Sequence, residues 1–259
     1  MDGTPPTWAH ADPCASHAPA QCYGEVAPEG VSRLVHLLPS ASSRCAVRRT
    51  GDVLYDVGSG FGRVCAQLVE LTNASVAGIE VNACRVAAAR RAFAGFPLLL
   101  REGDVRDVGF TDATHLVLTS QCWDRALLRA IFGRLARRAP RLRCIVDVGS
   151  ADALVAQDIV GLASAFGTVS AIAPDVTGTW DARAAALFIT RGARGDDDGR
   201  GRDDAAAAAP CNRSCVGVRR ARRWLESVAR EVEASDLPGP LSPWRRPPPL
   251  LRARAAVVS

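Results

Sequence analysis

The chain has 259 residues, 48% hydrophobic and 23% charged, with a formal net charge of +5, which suits one α/β domain with extra segments around a globular core. All 32 basic residues are arginine. With abundant Ala, Gly and Pro this reads as coding bias, yet it removes every class of enzyme that needs a phosphate-loop, Schiff-base or pyridoxal-phosphate lysine.

Residues 1–20 read as a mobile leader: they contain no Arg and lack the basic start and apolar stretch of a secretory signal. Glu29–Leu38 carries Val31, Leu34, Val35 and Leu38 at helical spacing, and Pro39 is expected to end that helix. Asp52–Val57 reads as a strand running straight into glycines, and Arg63–Leu71 as a helix. Ala74–Val81 is a second strand, Asn82–Phe93 a helix with Asn82 as N-cap, and Leu98–Arg101 a third strand. Thr114–Thr119 is a fourth strand, Arg125–Arg138 its helix and Arg143–Val148 a fifth strand. Asp152–Phe166 reads as one further helix, and Thr168–Ala173 and Ala184–Thr190 as closing strands. Strands alternating with helices predict a mostly parallel sheet covered on both faces. Pro174–Arg183 is too short for a parallel crossover, so the final pair must include an antiparallel strand. The expected fold is a seven-stranded Rossmann-like α/β sheet, five strands parallel plus an antiparallel hairpin, which is the class I methyltransferase arrangement.

No apolar run reaches the ~18 residues of a membrane helix. Beyond Thr190, residues 191–210 read as a flexible Gly-, Arg-, Asp- and Ala-rich linker, and residues 211–259 as a basic helix (Val216–Ala234) with a Pro/Arg-rich tail, holding ten Arg against four acidic residues. The nine cysteines are scattered and odd in number, a pattern read as reduced thiols. Cys211 and Cys215 have no second pair to complete a zinc site, and no metal is expected. His36 and His115, on apolar segments, read as core or surface histidines and not as bases.

The chemistry concentrates at Asp56-Val-Gly-Ser-Gly-Phe-Gly62. Gly58, Ser59, Gly60 and Gly62 form a strand-to-helix turn whose backbone N–H groups approach a ligand closely. A glycine motif alone is shared with dinucleotide sites, but no Tyr-x-x-x-Lys or second domain accompanies it here. Asp56 at the strand end is placed to bind an ammonium group. Glu80, 24 residues on, ends the second strand, where an acid takes both ribose hydroxyls. Asp104, after the third strand, is placed to accept from an adenine amino group, with Val105 against the ring. Together these predict S-adenosyl-L-methionine as the bound donor; a fold with accidental glycines is the bland alternative.

Cys22-Tyr-Gly-Glu-Val26, Pro28-Glu-Gly30, the helix behind them and Asp52–Arg63 resemble the Dot1-type (disruptor of telomeric silencing) histone methyltransferases, over roughly residues 21–190. The resemblance implies methyl transfer to a lysine in the globular core of histone H3, with Tyr23, Gly24 and Glu25 closing over the donor and the lysine channel. It places Ser120 where that family commonly has Asn, and Trp123 at its aromatic position, while Val176–Trp180 resembles its Trp-containing segment. Trp123 and Trp180 would wall the channel; ordinary packing is the alternative for both. A nuclear protein substrate is implied; the Arg-rich tail itself reads either as a nonspecific grip on nucleosomal DNA or as a charged, unstructured tail of biased composition, and Arg219–Arg223 as an import signal. A different protein lysine, or a silent fold that binds chromatin, remain open alternatives.

Overall fold

The computed structural model describes residue 14 and residues 24–47, 51–72, 74–179 and 184–192. Tyr23, Trp180, Cys211, Cys215, the expected helix Val216–Ala234 and the rest of the tail lie outside the described residues.

The elements follow in chain order: α1 (Pro28–Ala41), β1 (Val53–Val57), α2 (Arg63–Thr72), β2 (Ser75–Glu80), α3 (Ala83–Ala92), β3 (Leu98–Glu102), β4 (His115–Leu118), a 3-10 turn (Ser120–Cys122), α4 (Arg125–Arg138), β5 (Cys144–Gly149), α5 (Ala151–Ala156), α6 (Ile159–Ala163), β6 (Gly167–Val176) and β7 (Ala184–Arg191). The seven strands form one sheet in the order β3-β2-β1-β4-β5-β7-β6. β1 to β5 pair in parallel, and β7 runs antiparallel to both β5 and β6.

Burial on both faces follows from the side-chain alternation of a strand. Tyr55, Val57, Ile79, Leu116, Leu118 and Ile145 pack on one side against Leu128, Phe132, Leu154 and Ile159 of α4 to α6. Leu54, Val76, Val117, Val146 and Val148 pack on the other side against α1 and α2. α3 is capped by Asn82, whose side chain accepts from Cys84 N and Arg85 N, and α4 by Asp124, which accepts from Leu127 N. Each cap satisfies backbone donors that the helix itself leaves open.

Three expectations need correction. Pro39 does not end α1, which runs on to Ala41. It costs one bond in the last turn, while the buried stripe Val31, Leu34 and Leu38 holds the helix in place. The single helix expected over Asp152–Phe166 is two, broken where Asp158 adopts φ 53°. There Arg125 Nη2 donates to Asp158 Oδ2 at 2.8 Å, and a Cβ at position 161 would meet that same oxygen at 2.5 Å. Nor are the thiols all reduced: Cys14 is joined to Cys84 and Cys45 to Cys144, with Cα–Cα distances of 5.7 and 5.1 Å. Cys122 is disulfide-bonded as well, and Cys65 is a free, buried thiol. Apolar surroundings foretold that Cys45 and Cys144 are buried, but their proximity comes from the folding of residues 99 apart in the chain.

Among the described residues no helix is long and apolar enough to cross a membrane, and no cluster of His, Cys, Asp and Glu is arranged to hold a metal ion.

Candidate active site

The site is built where β1, β2 and β3 end side by side. β1 pairs with β2 up to Val57 and Ile79, and Gly58 N and Ser59 N both donate to Ile79 O, at 2.8 and 3.0 Å. Gly58, Gly60 and Gly62 have φ of 81°, 53° and 75°, a left-handed region that side chains other than glycine rarely adopt. The chain therefore turns over the end of β2 before entering α2. Gly78 admits this turn: a Cβ there would lie 2.7 Å from Ser59 Oγ and 2.8 Å from Cys65 Sγ.

Glu80 lies beneath that turn, 4% exposed. Gly60 N donates to its Oε2 at 2.9 Å and Asn82 N to its Oε1 at 2.9 Å. The buried Arg85 guanidinium stands 3.8 Å from the same carboxylate. A carboxylate offers about four acceptor positions, so both oxygens keep capacity for a ligand. Val81, the next residue, is an exposed apolar side chain. Reasoning from the sequence overlooked it; its signal was a valine placed directly after the strand-ending acid.

Asp56 projects from β1 toward the same face as Glu80. Its carboxyl is pushed up to about 7 by burial first, against a lowering hydrogen bond from Cys65, and then by the negative charges of Glu25 and Glu80. Cys65 Sγ donates to Asp56 Oδ2 at 3.5 Å, and burial together with that neighbour pushes the thiol well above its usual range. Glu25 reaches the cluster from far away in sequence. Its segment is held by an antiparallel bridge between Val26 and Gly178. Glu25 N donates to Thr179 Oγ1 at 2.9 Å, and Thr179 N to Glu25 O at 2.8 Å. Arg63, the first residue of α2, donates to Glu25 Oε2 at 3.0 Å. Three buried carboxylates thus converge on the glycine turn.

Asp104 sits on the turn after β3, whose Gly103 N donates to Glu80 O at 2.9 Å. The Arg106 side chain binds both Asp104 oxygens and its backbone N–H donates to Oδ1. These bonds hold the Asp104 carboxyl below its ordinary range. Val105 is half-buried beside it, against the core.

On the β4 side, Trp123 leans over the turn: a Cβ at Gly58 would lie 3.6 Å from Trp123 Cζ2. Ser120 is elsewhere than the resemblance implies. It is fully buried, its hydroxyl donating to Asp147 Oδ2 at 2.8 Å and its N–H to Oδ1 at 3.3 Å, so it braces the loop from below and offers no surface to an acceptor. Gln157 Nε2 donates to the carbonyls of Ser120, Gln121 and Trp123 at 3.1, 2.9 and 2.8 Å. Neither Asp147 nor Gln157 was singled out from the sequence, because nothing in their local context marks them. His115 is a core residue: its ring nitrogens face Thr114 Oγ1 and Cys45 O, and burial, followed by the charge of Arg143, lowers its pKa to about 4.

No protein-family model and no curated protein matches the chain. Among solved structures it is similar to a magnesium protoporphyrin IX methyltransferase from Synechocystis PCC 6803. The form with bound SAM gives a TM-score of 0.50 at 16% identity, covering 64% of this chain and 79% of that one. The form with bound SAH gives 0.50 at 14% identity, covering 64% and 83%. An RNA methyltransferase from Salinibacter ruber, in complex with S-adenosyl-L-homocysteine, gives 0.44 at 21% identity, covering 68% and 95%. At 14–16% identity the likeness to the Synechocystis enzyme is one of architecture, and with the strand order above it shows that the chain has the Rossmann-like class I methyltransferase fold.

Proposed function

We propose that the chain is an S-adenosyl-L-methionine-dependent methyltransferase whose donor site is the carboxylate-ringed glycine turn. The observation that carries this reading is the convergence of buried Asp56, Glu25 and Glu80 on one turn. Buried carboxylates gathered this closely repel one another even with Arg63 at Glu25 and Arg85 near Glu80, so the site favours a cation. The pyrophosphate of a dinucleotide would be repelled at the same place. The donor combines an ammonium, a sulfonium and a ribose diol, and these residues fit it. Asp56 binds the ammonium end, Glu80 the ribose hydroxyls, and Asp104 the adenine amino group, with Val105 and the exposed Val81 against the ring. Ser59, Gly60 and Gly62 supply the close-approaching backbone, and Glu25 the charge near the sulfonium. SAM and SAH bound to the solved methyltransferases of the same fold support the choice of ligand.

Bound there, the donor supplies a methyl group activated by positive sulfur, and the chain's own work is alignment and exclusion of water. For the acceptor we infer a protein lysine, with core histone H3 in the nucleosome as the first substrate to test. The Tyr23-Gly24-Glu25 order ahead of the glycine turn supports this through its resemblance to the Dot1-type enzymes, as does Trp123 against Gly58. An aromatic wall desolvates a lysine ammonium and lowers its pKa, releasing the proton to solvent before transfer without a dedicated base. Tyr23 and Trp180 belong to the same reading, as do nuclear residence and phosphate contact by the arginines after Cys211.

The test is transfer of labelled methyl to nucleosomes, free histones and a cell extract. Label is expected on a histone lysine; label confined to small molecules or RNA refutes the acceptor. Glu80→Ala loses two charge-assisted bonds to ribose and is expected to weaken donor binding by roughly 100-fold. Micromolar affinity surviving in that variant by calorimetry sinks the donor site.

A further inference from the structure

The two disulfides with both cysteines described differ in position and access. Cys45 and Cys144 are both 0% exposed and join the turn after α1 to the first residue of β5, at the end of the strands opposite the glycine turn. Cys14 is buried, but Cys84 is only half-buried and stands at the second position of α3. The bond Cys14–Cys84 therefore fastens a leader residue onto the helix that begins just past Glu80.

One residue links that fastening to the carboxylate. Asn82 donates from its backbone to Glu80 Oε1 at 2.9 Å, accepts at its Oδ1 from Cys84 N and Arg85 N, and donates from its Nδ2 to Cys14 O at 3.3 Å. Asn82 is 2% exposed, so these bonds form away from water. The segment that presents Glu80 thus shares its hydrogen bonds with the residue that the disulfide holds.

We propose that Cys14–Cys84 is a redox-active disulfide, opened by an external dithiol, and that it sets the affinity of the Glu80 site for its ligand. A thiolate of the dithiol attacks Sγ of Cys84, the more exposed residue of the pair. The Cys14–Cys84 bond breaks, the electron pair leaves on Cys14 Sγ, and that sulfur takes a proton. The second thiol of the reductant then displaces Cys84 from the mixed disulfide. The chain gains two electrons and two protons, and the dithiol becomes a disulfide. A Cys84 thiolate at the start of a ten-residue helix is stabilised by the helix dipole, which makes it a good leaving group in the second step and favours the reduced state. Cys45–Cys144 offers no such access and persists. Once residue 14 is released, Asn82 loses the Cys14 carbonyl it donates to and the start of α3 its covalent anchor, so Glu80 is less well preorganised for a diol.

The coupling to ligand affinity rests on the donor-site reading above; the exchange does not. The test uses the full chain, oxidised, in dithiothreitol buffers of graded potential. Thiols are trapped by alkylation and mapped by mass spectrometry, and S-adenosyl-L-homocysteine affinity is measured by calorimetry at each step. Cys14–Cys84 is expected to open well before Cys45–Cys144, with affinity falling about tenfold in step. Cys14→Ser and Cys84→Ser should bind at the reduced level at every potential. Simultaneous or later opening of Cys14–Cys84 overturns the exchange. Unchanged wild-type affinity across the opening overturns the coupling. Absence of binding at every potential refutes the donor site instead, while the order of opening still decides the exchange.

Discussion

Around neutral pH the Asp56 carboxyl is half-ionised, since burial and the charges of Glu25 and Glu80 push it up to about 7. A cationic donor binds the ionised form, so binding and deprotonation reinforce each other. Affinity for S-adenosyl-L-methionine is therefore expected to rise with pH up to about 7 and level off above it. Below that point it falls by up to about tenfold per pH unit. Asp56→Asn should flatten the profile. Calorimetry at pH 6 and pH 8 checks this, and a wild-type affinity independent of pH rules it out. Asp56 and Glu80 were legible in the sequence because a strand-ending acid next to a glycine turn is a local pattern. Glu25 was legible only through the family resemblance, and its approach to Asp56 depends on Thr177–Thr179, some 150 residues away. Ser120 was misplaced for the opposite reason. Its neighbours in sequence set it at the mouth, whereas its partner Asp147, on the adjacent strand, draws it inside.

The loop between β4 and α4 shows how elements position the site. Asp147 on β5 holds Ser120, and Gln157 at the end of α5 gathers three carbonyls of the loop that carries Trp123. Burial raises the Asp147 carboxyl to about 7 against the lowering bonds from Ser120. Between roughly pH 4 and 7 the folded protein keeps a proton that the unfolded chain has released. Asp147 therefore costs stability progressively as pH rises through that window, and the cost is complete above 7. Asp147→Asn should lose this dependence, so the variant gains relative to wild type from pH 4.5 to 8 in urea midpoints. A constant difference between the two would refute the assignment. His115, lowered to about 4, contributes in the reverse sense between about pH 4 and 6.5, which is why the comparison must be between variant and wild type. Most strands and helices were readable from hydrophobic period alone. The two helices misread, at Pro39 and Asp158, are places where packing outweighs or overrides a local signal.

Across the whole molecule, the Cys45–Cys144 bond closes a loop of 99 residues between the turn after α1 and β5. A covalent tie of that span restricts the unfolded chain, so replacing both cysteines by Ala should cost about 2–5 kcal/mol. Melting of the double variant under non-reducing conditions checks this, and an unchanged midpoint refutes a stabilising role. The order of elements along the chain, the parallel sheet, the closing antiparallel pair and the glycine turn were all determined by sequence, because each depends on period, turn chemistry or the length of a connection. Only the tertiary structure decided which cysteines meet, where Ser120 points, how Trp123 comes to lie over Gly58, and that three buried carboxylates lie near one another. Those facts depend on the order of strands in space, which brings together residues whose separation along the chain carries no signal of their contact.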